Sequence, residues 1–216
     1  MSTDFVLIDM DGTILAKRSI DVLCQSYGLT SSLRRIDKEF REQPKSVVGR
    51  MIVDLFVGKS KVDMERIFDS ISLSDGIREL LSYFKSRGFV VALATDGYKF
   101  LADKLKEKLP LDLVYGNVLE FNGDILSGQA QSGPGCLKIL GCKEYSICKL
   151  RLLKTLRYSL GGRAIAVGDS EADYCMLRTA DISIAYRPKT ERIKEEADLV
   201  TDHFDKVLSF LKCQLG

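Results

Sequence analysis

The chain has 216 residues, 45% hydrophobic and 29% charged, enough apolar material for a sizeable core and a smaller second one. Its 32 basic and 30 acidic residues are scattered and leave a formal charge of +2, so neither a nucleic-acid nor an anionic-membrane footprint stands out. Met1-Ser2-Thr3-Asp4 does not lead a basic stretch into an apolar one, and no apolar run nears the length of a membrane span, which points to the cytoplasm.

Phe5-Val6-Leu7-Ile8 is a continuous apolar run of the kind that forms a strand buried on both faces of a parallel sheet. It stops at Asp9-Met10-Asp11-Gly12-Thr13, where a turn begins. From Ser19 to Ser70 the apolar positions, among them Ile20, Leu23, Leu33, Ile36, Val48, Ile52 and Phe56, keep helical spacing. Breaks at Gly28 to Ser32, Gln43-Pro44 and Gly58-Lys59-Ser60 divide this stretch into about four short helices. The pattern predicts a helical cap over residues 16–73, inserted into a core made of residues 1–15 and 74–216.

Ser74-Asp75-Gly76 opens an amphipathic helix through Ile77, Leu80, Leu81 and Phe84 that Arg87-Gly88 ends. Strands are predicted at Phe89 to Ala94, Leu113 to Tyr115, Arg163 to Val167, Ile182 to Ala185 and Asp198 to Val200. Helices are predicted at Tyr98 to Lys108, Tyr145 to Leu160, from Glu171, and at Phe204 to Leu211. This alternation argues for an α/β fold with a doubly wound, Rossmann-like parallel sheet. Val118 to Phe121 and Asp124 to Leu126 flank Asn122-Gly123, a dipeptide of tight hairpin turns, and predict a β-hairpin. Gln129 to Gly135 reads as a polar loop.

The six cysteines, at 24, 136, 142, 148, 175 and 213, have no C-x-x-C spacing, and His203 is the only imidazole, so a zinc site is not indicated and the thiols read as reduced. His203 lies in the polar stretch Thr201-Asp202-His203-Phe204-Asp205 and reads as a surface or helix-start residue. Acid–base work falls to carboxylates.

Asp9 and Asp11 end a buried strand, and ligands of open α/β sheets bind beyond the carboxyl ends of such strands. Two carboxylates this close repel unless a cation answers them, and a hard cation such as Mg²⁺ takes oxygen ligands of this kind. A strand-ending turn with solvated aspartates would use the same residues, since Asp-Gly is a common turn dipeptide. Three further clusters stand at comparable places: Thr95-Asp96-Gly97, Lys149, and Gly168-Asp169-Ser170-Glu171-Ala172-Asp173. Phosphoryl transfer needs a nucleophile, a cation, donors for the nonbridging oxygens and an acid for the leaving group, and these clusters offer each.

In this order the motifs resemble those of the haloacid dehalogenase superfamily over nearly the whole chain, and the helical insertion and hairpin resemble its phosphoserine phosphatase branch. The resemblance implies a Mg²⁺-dependent phosphatase in which Asp9 attacks phosphorus while Asp11 protonates the leaving alcohol and then activates water. It implies Mg²⁺ held by the Asp9 carboxylate, the Asp11 backbone carbonyl and the Asp169 carboxylate, with Asp173 supporting. Thr95 and Lys149 would hold phosphoryl oxygens, and Gly12 and Gly97 would let backbone N–H groups approach. Lys138, Lys143 and Lys154 are neighbouring alternatives to Lys149, which its spacing to Asp169 favours.

In that branch a cap glutamate and a cap arginine help hold the amine and carboxylate of the amino acid. An ungapped reading sets Arg18 and Asp54 there instead, a reversal of charge order, with Arg50 one helical turn from Asp54. Arg18 then either grips an acidic substrate group or pairs with Asp54. Thr95-Asp96-Gly97 replaces a more usual Ser-Gly-Gly, and Asp96 adds negative charge at the rim. The expected partner is a small phosphorylated metabolite, with no nucleic acid and no membrane. A phosphatase or phosphomutase acting on a sugar phosphate would reuse the same nucleophile and acid. A phosphoaccepting receiver domain would share the aspartates and lysine but needs neither the insertion nor Asp11.

Overall fold

The computed structural model describes residues 2–131, 136–137 and 143–216. Strand β1 (Thr3–Ile8) lies near the middle of a seven-stranded sheet of order β4-β3-β2-β1-β5-β6-β7. The others are β2 (Val90–Tyr98), β3 (Leu113–Asn122), β4 (Ile125–Gln131), β5 (Gly161–Gly168), β6 (Ile182–Tyr186) and β7 (Leu199–Thr201). All neighbours pair in parallel except β3 with β4, a hairpin at the edge. Side chains alternate across a strand, so Val6 and Ile8 enter one apolar cluster while Phe5 and Leu7 enter another on the opposite face. Burial on both faces is why this strand reads as unbroken apolar sequence.

Four helices separate β1 from the rest of the sheet: α1 (Ser19–Ser26), α2 (Thr30–Glu39), α3 (Lys45–Asp54) and α4 (Lys61–Phe68). They pack around Phe56, whose ring meets Tyr27 at 6.2 Å and Tyr98 of β2 at 6.3 Å, both edge-on. Truncating so deeply buried a phenylalanine costs about 3–5 kcal/mol. The chain enters and leaves this helical segment through a narrow neck. Leu15 bridges Leu73, Ala16 N–H donates to Ser72 C=O, and Ser74 N–H donates to Ile14 C=O.

Two further docks hold the helices down. Gly58 N–H bonds Leu126 C=O (3.0 Å) and Leu126 N–H bonds Lys59 C=O (2.9 Å), which fastens the α3–α4 turn to the hairpin. At the start of α3, Lys45 and Ser46 donate N–H bonds to the carbonyls of Lys143 and Glu144 (3.0 and 3.1 Å).

The remaining helices are α5 (Ile77–Ser86), α6 (Lys99–Lys108), α7 (Lys149–Leu160), α8 (Tyr174–Leu177), α9 (Glu191–Glu195) and α10 (Phe204–Leu215). Several boundaries differ from the sequence reading. Strand β2 runs on through Thr95-Asp96-Gly97, and β3 fuses the short strand at Leu113 to Tyr115 with the hairpin arm, because both parts pair along one edge. Asn122 pairs with Ile125, so the tight turn is Gly123-Asp124, with φ 61° at Gly123. Strand β4 takes in Gln129 to Gln131; residues 132–135 of the expected loop, and Lys138 and Cys142, lie outside the described residues. Helix α7 opens at Lys149 rather than Tyr145, and α8 at Tyr174 rather than Glu171, since Asp173 spends its side chain on the preceding turn. Helix α9 carried too few apolar positions to register as a period.

Candidate active site

Asp9, Thr95 and Asp169 stand at or just beyond the carboxyl ends of β1, β2 and β5, the side where open α/β sheets bind ligands. Lys149, the first residue of α7, closes the group from the side. Its Nζ donates to Asp9 Oδ1 (2.5 Å) and Asp173 Oδ1 (2.6 Å), and all three side chains are buried. Burial works against the Lys149 charge, yet Asp173 and Asp9 hold its pKa well above the ordinary lysine value. Burial raises the carboxyls of Asp9 and Asp169, reinforced by their mutual repulsion with Asp173.

Asp173 is fully committed. Besides Lys149, it accepts the N–H groups of Asp169 (3.1 Å) and Ser170 (3.0 Å) and the Ser170 hydroxyl (3.1 Å) on Oδ2. Asp169 is the opposite case. Its Oδ1 is buried without a partner, while Oδ2 pairs with Lys189 Nζ at 2.6 Å. Carboxylate oxygens of Asp9, Asp169 and Asp173 lie within 4.8 Å of one another. An all-oxygen set in which Asp169 Oδ1 is buried without a partner fits a hard divalent cation such as Mg²⁺. Asp173 orients the turn that carries Asp169 through the N–H groups of Asp169 and Ser170.

Asp11 turns away from that group. Its Oδ1 accepts the Ser19 backbone N–H (2.8 Å) and its Oδ2 the Ser19 hydroxyl (3.1 Å), which seats the carboxylate on the N-terminus of α1. Burial lifts its carboxyl above the ordinary aspartate value, against the two Ser19 bonds and the Arg18 charge. A raised carboxyl held at a fixed spot is suited to give and take a proton.

The glycines act through absence of bulk. Gly12 N–H donates to Leu15 C=O and Gly97 N–H to Thr95 Oγ1 (2.9 Å each). At Gly12 (φ +92°) a Cβ would fall 2.1 Å from Asp169 Oδ2. At Gly97 it would lie 3.1 Å from Thr95 Oγ1 and 3.4 Å from Asp11 Oδ2. Thr95 is buried, and with its oxygen accepting from Gly97 its hydroxyl hydrogen remains to donate. Asp96 accepts the Ile147 N–H (3.1 Å), and burial pushes its carboxyl up to about 6.

A cavity of about 590 Å³ opens above these groups, with Asp9, Asp11, Thr95, Asp96 and Lys149 on its floor. Arg18 and Arg50 line its wall on the side of helices α1 and α3; Asp54, at the exposed end of α3, does not. Arg18 faces Asp21 and Asp37 at 3.5 Å each, so the expected alternative partner Asp54 gives way to two acids on α1 and α2. Lys143 and Lys154 are exposed and Lys149 alone of these reaches Asp9. Sequence reasoning passed over Lys189, Ser19, Asp21, Asp37 and Tyr145, all of which have local sequence contexts indistinguishable from surface loops or helix starts.

A family model described as haloacid dehalogenase-like hydrolase matches residues 6–178, and a second of the same description matches residues 148–211. A phosphoserine phosphatase of Archaeoglobus fulgidus is 30% identical over 203 residues, covering 89% of this chain, which spans 55% of that protein's length. A phosphoserine phosphatase of Methanocaldococcus jannaschii is 26% identical, covering 96% of this chain and 97% of the relative. A solved structure described as a phospho-aspartyl intermediate analogue of phosphoserine phosphatase superposes with a TM-score of 0.81 at 24% identity, covering 97% of this chain and 99% of its own. The fold is the one those proteins share. No helix among the described residues is long and apolar enough to cross a membrane. The chain belongs to the haloacid dehalogenase-like hydrolase family, within which it is like the phosphoserine phosphatases.

Proposed function

We propose that the chain hydrolyses small phosphomonoesters with Mg²⁺, through an aspartyl-phosphate on Asp9. The observation that carries this reading is the buried group of Asp9, Lys149 and Asp173 beside the unpartnered Oδ1 of Asp169, with Asp9 and Lys149 lining an accessible cavity. Asp9, Asp169 and the Asp11 backbone carbonyl would hold the cation, which supplies charge neutralisation between nucleophile and phosphoryl oxygens. Lys149 aims Asp9 through its hydrogen bond and opposes the rise that burial gives the Asp9 carboxyl. The Thr95 hydroxyl and the Lys149 ammonium then serve the nonbridging oxygens.

In the first half-reaction an Asp9 oxygen forms a bond to phosphorus as the ester P–O bond breaks. The departing oxygen takes the electron pair and a proton from Asp11. In the second half Asp11, now ionised, takes a proton from water as its oxygen attacks phosphorus. The Asp9–phosphorus bond breaks, releasing phosphate and the free carboxylate. Residues 16–73 act as a cap that excludes water and reads the leaving group, over a core of 1–15 and 74–216. The work belongs to the cytoplasm, where thiols such as Cys24 and Cys148 stay reduced.

The test is Mg²⁺-dependent phosphate release from L-phosphoserine and p-nitrophenyl phosphate, with Asp9→Asn as control. The variant is expected to lose at least about a thousandfold in kcat. An Asp9→Asn protein that retains most of its turnover would sink the mechanism.

A further inference from the structure

Two ammonium groups serve the carboxylates of Asp9, Asp169 and Asp173, and they are held in different ways. The Lys149 side chain is 1% exposed and its Nζ bonds both Asp9 and Asp173. The Lys189 side chain is 52% exposed, and among the described residues its Nζ pairs with Asp169 Oδ2 alone, at 2.6 Å. Lys149 is locked in place, whereas Lys189 reaches in from the rim of the cavity that both line.

The stem of Lys189 is anchored independently of its head. Arg187, at φ +46°, turns the chain as it leaves β6. The Lys189 backbone N–H donates to the Asp169 carbonyl (2.8 Å), and the Thr190 hydroxyl donates to Glu171 Oε1 (2.9 Å). None of these contacts uses the ammonium, so the head can leave Asp169 while the backbone stays.

The ammonium also stands where a cation would feel it. A Cβ on Gly12 would lie 2.1 Å from Asp169 Oδ2 and 3.1 Å from Lys189 Nζ. The pair therefore rests against the turn that carries Asp9 and the Asp11 carbonyl, the other groups assigned to the cation. A buried carboxylate is costly without a counter-charge, and Lys189 supplies one to Asp169. A divalent cation makes that charge surplus. Together with Lys149 it brings three positive charges to three carboxylates, and a further ammonium close by repels it. Release costs little, because an ammonium already half in water regains its hydration and solvent-exposed ion pairs are weak.

We propose that Lys189 is an exchangeable counter-ion of the metal site: its ammonium neutralises Asp169 until a divalent cation binds and then gives way to solvent, so that Mg²⁺ is held less tightly than the carboxylates alone would hold it. The proposal rests on the cation site of the phosphatase reading and adds a residue that sets its affinity.

The test is Mg²⁺ binding by isothermal titration calorimetry on the protein without substrate. Lys189→Gln removes the competing charge and should lower the Kd for Mg²⁺ by about tenfold. Lys189→Arg keeps the charge and should stay within about threefold of the wild type. Without Mg²⁺ the Gln variant should melt below the wild type, and the gap should close as Mg²⁺ saturates the site. In the wild-type chain, labelling of Lys189 by a water-soluble amine-reactive ester, read by peptide mass spectrometry, should speed up when Mg²⁺ is added, which tests the release even if the Gln variant does not fold. A Kd that is unchanged or weaker in Lys189→Gln, or labelling that Mg²⁺ leaves unchanged or slows, overturns the proposal and leaves the phosphatase reading standing. A folded wild-type protein that takes up no Mg²⁺ at millimolar concentration overturns both.

Discussion

Ser19 grips Asp11 at both oxygens, through its backbone N–H at 2.8 Å and its hydroxyl at 3.1 Å. Both bonds favour the ionised carboxylate, while burial favours the protonated one. Ser19→Ala removes one bond and should raise the Asp11 carboxyl further. The step in which Asp11 must be ionised to activate water then loses at low pH. The acid limb of the kcat profile is expected to move to higher pH, with a loss of about tenfold at pH 6 that narrows by pH 8. A limb that stays in place or moves to lower pH contradicts the assignment of Asp11.

Gly12 has a conformation and a neighbour that no other residue tolerates. With φ at +92° and Asp169 Oδ2 at 2.1 Å from the position of a Cβ, Gly12→Ala must push Asp169 aside. Displacing a group that orients or supplies metal ligands typically costs about 10- to 100-fold in metal affinity or activity. A Mg²⁺ titration of phosphate release should show the half-saturating concentration rising by about that factor. An unchanged Mg²⁺ requirement would remove Asp169 from the metal set.

The Asp96 carboxyl, pushed by burial from an ordinary 3.8 to about 6 despite the Ile147 N–H, makes a pH signature. An acid whose folded pKa lies above its unfolded value binds protons more tightly when folded. Its contribution to stability therefore falls as pH climbs between those two values and is level above them. Asp96→Asn keeps an acceptor for Ile147 without the charge. Its unfolding free energy minus that of the wild type should grow from pH 4 to pH 6 and then hold steady. Taking the difference subtracts the raised carboxyls of Asp9 and Asp169. A difference that is constant or shrinks across this window would place Asp96 in solvent.

Asp124 ties the hairpin to the start of α4. Its carboxylate accepts the Ser60 hydroxyl and the Val62 N–H (3.0 Å), and the Ser60 oxygen in turn caps the Asp63 N–H (3.1 Å). Asp124→Ala should speed amide hydrogen exchange at Val62 and Asp63 while leaving β1 and β5 unchanged. Uniform acceleration across the sheet would mean that the hairpin supports the whole molecule and not this contact.

The parts legible in the sequence are those with a strong local period or a motif of fixed spacing. Phe5 to Ile8, the four cap helices and the Leu150, Leu153, Leu156 face of α7 have patterns that tertiary contacts reinforce. Asp9, Lys149, Asp169 and Asp173 converge because each lies at a strand end or helix start around one sheet. What stayed hidden depends on contacts between distant segments. Strand β3 outruns its apolar signal because the hairpin and the parallel edge are one strand. Lys189 meets Asp169 only because β6 returns the chain beside β5. Arg18 meets Asp37 because α1 packs on α2, which spacing along either helix does not specify, while Asp21 lies three residues on along the chain.

The neck at Leu15 and Leu73 closes the helical segment on itself. To the sheet, 16–73 is an insertion whose two ends already touch, so its length adds no span that the core must bridge. Loop closure costs grow only with the logarithm of length. Changes of length within this segment therefore leave Asp9, six residues before Leu15, in register against Val167 through its own N–H. The nucleophile is thus insulated from the length of the insertion, whereas Asp11, held by Ser19, is not insulated from its packing.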